Sequence, residues 1–135
     1  MKNEKIYRVM DANLNRAKEG LRVCEDICRF VYDHRQWTKS LKTIRHRLTD
    51  AAASVGIPDL VAARHIEGDV GKRTVNGELT RRKVEDIFYA NAQRIKESMR
   101  VLEEFAKLKD RRVAESFKKL RYRMYALEKR IITQG

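Results

Sequence analysis

The sequence predicts an all-α fold: an internally duplicated helical hairpin that closes into a four-helix bundle with a long ordered crossover loop. Three observations predict it. One proline and six glycines in 135 residues leave long stretches without helix breakers. Apolar residues recur at helical spacing through four segments. The chain also repeats itself. Residues 12–29 (ANLNRAKEGLRVCEDICR) align with residues 90–107 (ANAQRIKESMRVLEEFAK) at an offset of 78. The identities are Ala12/Ala90, Asn13/Asn91, Arg16/Arg94, Lys18/Lys96, Glu19/Glu97, Arg22/Arg100, Val23/Val101 and Glu25/Glu103. A weaker echo at an offset of 76 pairs SLKTIRHRL (40–48) with SFKKLRYRM (116–124), matching Ser40/Ser116, Lys42/Lys118, Arg45/Arg121 and Arg47/Arg123. Packing rules explain shared apolar positions. They do not dictate shared Asn, Arg, Lys and Glu, so the repeat marks where to look for chemistry as well as architecture.

Residues 1–135 read as a single helical domain, with repeat one at about 5–55, the crossover at 56–79 and repeat two at about 80–132. The first helix runs from about Lys5 to Tyr32. On a helical wheel Leu14, Ala17, Leu21, Cys24, Ile27, Cys28 and Val31 share one apolar sector. Asp33 is the expected N-cap of a second helix, about His34 to Val55, which carries Trp37, Leu41, Ile44 and Leu48. A third helix, about Thr80 to Leu108, carries Val84, Ile87, Phe88, Ile95, Met99, Leu102 and Phe105. Asp110 is the expected cap of a fourth, about Arg111 to Ile132, with Val113, Phe117, Leu120, Met124, Leu127 and Ile131. The crossover holds the proline and four of the six glycines. Its Leu60, Val61, Ile66 and Val70 lead us to expect that it packs on the bundle.

The chain has no apolar run long enough to span a bilayer and no apolar signal core at its start, so a cytoplasmic protein is expected. Cys24 and Cys28, four apart on one helix, suit neither a disulfide nor a zinc site and read as small core residues. The formal charge of +12 needs a cause. Nucleic acid, small phosphorylated ligands and an unpartnered solvated surface are the three candidates, and charge alone does not choose.

Three constellations can carry chemistry. Asn13, Arg16 and Gly20 form an i, i+3, i+7 row, and Asn91, Arg94 and Ser98 form its counterpart. The row is either a polar pocket in which arginine forks grip phosphate, or a helix contact through a small residue. The carboxylates Glu25, Asp26, Glu103 and Glu104, with Glu19 and Glu97, can hold magnesium or can form intrahelical ion pairs such as Arg22–Asp26 and Arg100–Glu104. The crossover segment ARHIEGDVGKR (63–73) sets Asp69 between Gly68 and Gly71, with Arg64, Lys72 and Arg73 around them. It is either an anion-binding turn or a capped turn, and it matches neither Walker A nor GxGxxG. Of His34, His46 and His65, only His65 lies beside this segment, and none is expected to be catalytic.

DANLNRAKEGLRVCEDICRF, LKTIRHRL, AARHIEGDVG, ANAQRIKESMRVLEEFAKL and FKKLRYRMYALEK, in that order, resemble one small family over about residues 6–130. It is the helical domain found at the N-terminus of some bacterial thiamine-phosphate synthases (thiamine-phosphate pyrophosphorylases) and also alone, regarded as a kinase for hydroxymethylpyrimidine phosphate. The resemblance implies transfer of the ATP γ-phosphoryl group, with magnesium, to that phosphate. It places weight on Asn13, Arg16, Glu19, Gly20, Arg22, Glu25, Asp26, Arg64, Gly68, Asp69, Gly71, Asn91, Arg94, Glu97, Arg100, Glu103 and Glu104. Within this set we assign Asp69, Arg16 and Arg94 to catalysis and Glu25, Asp26, Glu103 and Glu104 to metal. Asn13, Glu19, Gly20, Arg22, Arg64, Gly68, Gly71, Asn91, Glu97 and Arg100 are assigned to substrate and nucleotide. After Gly-Asp-Val-Gly the resemblance leads us to expect a small hydroxyl residue, and here Lys72-Arg73 precedes Thr74. The alternatives are a non-catalytic partner domain of thiamine-phosphate synthase, a basic nucleic-acid-binding module and a chorismate-mutase-like helical enzyme. A homo-oligomer is possible in each case.

Overall fold

A computed structural model describes residues 2–72 and 80–134. Four long helices make the body: α1 (Lys2–Asp26), α2 (Arg35–Ala53), α4 (Val84–Ala106) and α5 (Arg111–Gln134). A short helix, α3 (Ile57–Ala62), lies in the crossover. α1 packs on α2 and on α4, and α5 packs on α4 and on α2, which closes a four-membered ring of antiparallel hairpins. Among the described residues there is no strand, and no helix is long and apolar enough to cross a membrane.

The expected apolar faces meet in one core. Leu21, Leu41, Leu48, Ile95, Met99, Leu102, Phe117, Met124 and Leu127 are essentially fully buried, each such side chain contributing on the order of 1.5–3 kcal/mol. Cys24 and Cys28 are free thiols in that core. Burial pushes the Cys28 thiol up to about 11, and Cys24 higher still.

Three details differ from the sequence reading. α1 ends in one wide π-turn, Ile27–Val31. The extra residue in that turn carries Val31 off the apolar face, and it is exposed. Second, Asp33 does not cap α2. It takes a left-handed conformation (φ 49°), which a short polar side chain tolerates, and ends the preceding helix. His34 is the cap: its Nδ1 accepts from the Trp37 amide at 3.2 Å while its ring stacks on Trp37 at 3.6 Å. Third, α4 begins at Val84, where Asp86 Oδ2 accepts from the amides of Lys83 (3.2 Å) and Arg82 (3.3 Å). The Asp110 cap holds, with Oδ1 accepting from the Arg112 amide at 2.8 Å.

In the crossover, Leu60 and Ala63 are buried and α3 packs on α1. The crossover thus packs on the bundle as expected, through Leu60, while Val61, Ile66 and Val70 are exposed. Arg73 and Thr74 lie outside the described residues.

Candidate functional site

Matched polar residues of the repeat make matched contacts, and most of those contacts are structural. Asn13 Nδ2 donates to the Val9 carbonyl at 2.9 Å, and Asn91 Nδ2 donates to the Ile87 carbonyl at 2.8 Å. Glu25 of α1 accepts from Arg45 of α2 at 3.1 Å and from Arg22 at 3.3 Å. Its counterpart Glu103 of α4 accepts from Arg121 of α5 at 3.0 and 3.2 Å, with Arg100 at 4.0 Å. Each hairpin is thus cross-braced by one buried carboxylate and one arginine, at positions that the two echoes matched separately. Glu104 binds Lys107 (3.0 Å) and Arg100 (3.1 Å), which hold it below the usual carboxylate range. Asp26 is exposed. Among the described residues no three His, Cys, Asp or Glu side chains stand together to hold a metal. Glu25, Asp26, Glu103 and Glu104, to which the sequence reading gave a metal, thus do not come together in one cluster. The arginine braces occupy the two buried carboxylates, and the other two face solvent.

Gly20 resolves in the same direction. A Cβ there would lie 2.9 Å from Ile95 Cγ1 and 3.1 Å from the Asn91 carbonyl oxygen. The residue is small because α4 comes close, and it does not line the cavity described next.

The two matched segments part company at the crossover. A cavity of about 710 Å³ opens between the N-terminal half of α1 and residues 64–69. Asn13, Arg16 and Glu19 line it from α1, and Arg64 and Asp69 line it from the crossover. Lys5, Arg8 and His65, which the sequence reading did not assign, line it too. The crossover is tied down by a residue also missed there. Asp11, nearly fully buried, accepts from Arg64 Nε at 2.7 Å and Nη2 at 2.8 Å, a two-pronged pair that holds the guanidinium above its ordinary value. Asn15 Nδ2 supports Asp11 at 3.3 Å, and Arg8 Nη2 donates to the His65 carbonyl at 3.5 Å. At the 78-residue offset Asp11 corresponds to Tyr89, which is exposed on α4 and cannot anchor an arginine this way. That mismatch was the available signal.

Inside the cavity Arg16 donates to Asn13 Oδ1 at 3.4 Å. The crossover turn closes on itself: Asp69 Oδ1 accepts from the Gly71 amide at 2.9 Å, and a Cβ on Gly68 would collide with the His65 ring. Gly68 is therefore small because His65 lies over it, and the Gly71 amide holds Asp69 in the turn. The remaining assignments do not join this cavity. Arg94 is exposed on α4, Glu97 accepts from Gln93 at 3.4 Å, and Arg22, Asn91 and Arg100 make the contacts given above. What remains is a one-sided site with Lys5, Arg8, Arg16 and Arg64 as cations, and Glu19 and Asp69 as carboxylates with no arginine partner among the described residues. Such a set suits a phosphorylated ligand of modest size.

Residues 8–130 match the model of the ThiD2 family. The chain belongs to the ThiD2 family. It is 44% identical over 124 residues to a protein of Synechocystis named thiamine-phosphate synthase, covering 91% of this chain and 35% of that protein. It is 38% identical over 128 residues to the protein of the same name from Nostoc punctiforme (94% and 35%), and 35% over 122 residues to that of Rhodopirellula baltica (90% and 32%). The chain thus spans about a third of the length of these relatives. No solved structure matches it. The family match agrees with the resemblance read from the sequence, and the partial coverage agrees with a domain that the relatives carry as one part of a longer chain.

Proposed function

We propose that this ThiD2 domain acts in thiamine biosynthesis by transferring the γ-phosphoryl group of ATP to hydroxymethylpyrimidine phosphate. The observation that carries the reading is the α1–crossover cavity, where the repeated Asn13–Arg16–Glu19 row and the crossover's Arg64 and Asp69 converge. In this reaction a phosphate oxygen of the acceptor forms the new P–O bond, the β–γ bridge bond of ATP breaks, and ADP leaves. A phosphate monoester has a second pKa near about 6, so the acceptor is already largely dianionic at neutral pH and needs no general base. That leaves Asp69 to orient the phosphates or to hold metal. Arg16 and Arg64 offset charge on the phosphates, and Lys5 and Arg8 extend the same field. Magnesium delivered on the nucleotide usually takes one or two protein carboxylates, and Glu19 and Asp69 fit that number. Its contribution is to neutralise phosphate charge during transfer.

A second reading rests on the relatives. Proteins named thiamine-phosphate synthase contain this domain as about a third of their length, so a non-catalytic partner domain of the synthase is also supported. One experiment separates the two. The purified protein is incubated with ATP, magnesium and the pyrimidine phosphate, and the pyrophosphate product is followed by phosphorus NMR. The kinase reading expects turnover that Arg16→Ala and Asp69→Ala reduce strongly and Arg94→Ala leaves near wild type. No turnover, with stable co-purification of a thiamine-phosphate synthase, would favour the partner reading.

A further inference from the structure

The face opposite the α1–α4 contact explains the chain's charge. α2 carries five basic residues against one acidic, and α5 eight against two, so these two helices hold +10 of the formal +12. Where α2 and α5 pack, two cavities of about 380 and 340 Å³ lie end to end and share Arg123. Their cations are Lys39, Arg47, Lys119, Arg123 and Arg130, and none has an ion-pair partner among the described residues. Asp50 is the acidic residue in the lining. Elsewhere in the bundle the buried arginines and lysines are neutralised in place, as in Arg121–Glu103 and Lys96–Glu128.

The two cavities are also counterparts. At the 76-residue offset Ser40, Ile44 and Arg47 correspond to Ser116, Leu120 and Arg123, and all six line the groove. The second echo in the sequence thus marks this groove rather than the α1 cavity. Its floor is a narrow apolar strip: Ala126 is exposed, and Ile44, Ala51, Leu120 and Leu127 lie beneath it, nearly fully buried. Its rims are basic. The lining runs from Gln36 of α2 to Ser54, the residue that follows it, about 27 Å at 1.5 Å per residue.

An apolar floor between two unneutralised basic rims complements one kind of occupant. We propose that the α2–α5 groove docks an amphipathic acidic helix of a partner protein. The helix lays a small apolar stripe on the floor, and carboxylates on its flanks meet the arginines and lysines. Single-stranded nucleic acid fits less well, because no aromatic side chain lines either cavity for bases to stack on. A second copy fits less well too, because it carries the same formal charge of +12 and is repelled by the basic rims.

The test uses the whole protein and a fluorescein-labelled acidic helix of about 18 residues, the length that matches the groove. Leucines sit at i, i+3, i+4 and i+7 and glutamates on the flanks. Its controls are a scrambled peptide of equal composition and an oligouridine, all read by anisotropy at near-physiological salt. The patterned peptide should bind saturably and at least tenfold tighter than the scrambled one. Arg123→Glu should weaken it tenfold or more. Ala126→Lys is the deciding variant, since it adds positive charge while filling the floor, and it should also weaken binding several-fold. Circular dichroism checks that both exposed-site variants remain folded. Equal binding of the scrambled peptide, tighter binding by Ala126→Lys, or tighter Arg123-dependent binding of the oligouridine would each overturn the proposal.

Discussion

Asp11→Asn is the most informative single change, because the Asp11–Arg64 pair is the tie that gives the crossover to one copy of the repeat. The carboxylate side chain is 6% exposed and the guanidinium 40% exposed. A hydrogen bond to a charged group is worth about 1.5–3 kcal/mol where water is excluded. Here one partner is substantially solvated, which discounts the pair to about 1–2 kcal/mol. At about 1.4 kcal/mol per factor of ten, the crossover should open about five- to thirtyfold more often. The assay is hydrogen–deuterium exchange followed by mass spectrometry, comparing peptides from 60–72 with peptides from α4 and α5. Faster exchange confined to the crossover, with the bundle helices unchanged, is the expected outcome. Arg64→Gln should reproduce it, and the double variant should add little, because both changes remove the same tie. If bundle exchange rises together with the crossover, Asp11 is a general stability residue and the latch argument fails.

Further outcomes follow from the braces and the core. Arg121→Met leaves the buried Glu103 carboxylate without its main partner and should cost about 3–5 kcal/mol in chemical denaturation. Replacing both partners with Glu103→Leu and Arg121→Met should recover most of it; a double variant as unstable as the single would refute the desolvation argument. Gly20→Ala gains up to about 1 kcal/mol of helix propensity but crowds Ile95 and the Asn91 carbonyl, for which overpacking costs about 1–3 kcal/mol, so the melting temperature should fall. A rise would mean that the α1–α4 contact relaxes freely. The Cys28 thiol, pushed from 9.0 to about 11, remains protonated in the folded protein over a range where the unfolded chain ionises. The unfolded state therefore binds fewer protons, and the stability contributed is present below pH 9 and lost as pH rises from about 9 to about 11. Thermal melts across that range should show a steeper loss for wild type than for Cys28→Ala.

The helices were legible because their signals are local. Apolar spacing marked the core residues of all four long helices, and Asp110 marked the start of α5. The start of α2 was legible to within a residue, but its cap was misread because aspartate is a usual capping residue and histidine is not. The choice fell to the π-turn, which alters the exit of α1, and to the stacking of His34 on Trp37. The polar repeat was legible as a pattern but not as a set of roles. Glu25 and Glu103 read as metal ligands along the chain, and only the fold shows that Arg45 and Arg121, 20 and 18 residues further on, pair with them. Gly20 looks like a ligand contact until Ile95 is seen opposite it.

By itself the sequence determined the all-helical class, the four long segments, the composition of the core and the family. These depend on periodicity and on residue identity along the chain. Only the tertiary structure decided which half carries the candidate site. The two polar rows are nearly the same on paper, and what separates them is a bond between Asp11 and Arg64, 53 residues apart. A pairing across that distance leaves no periodic trace in the chain. The same holds for the basic groove, whose two walls become one surface only when α2 packs on α5.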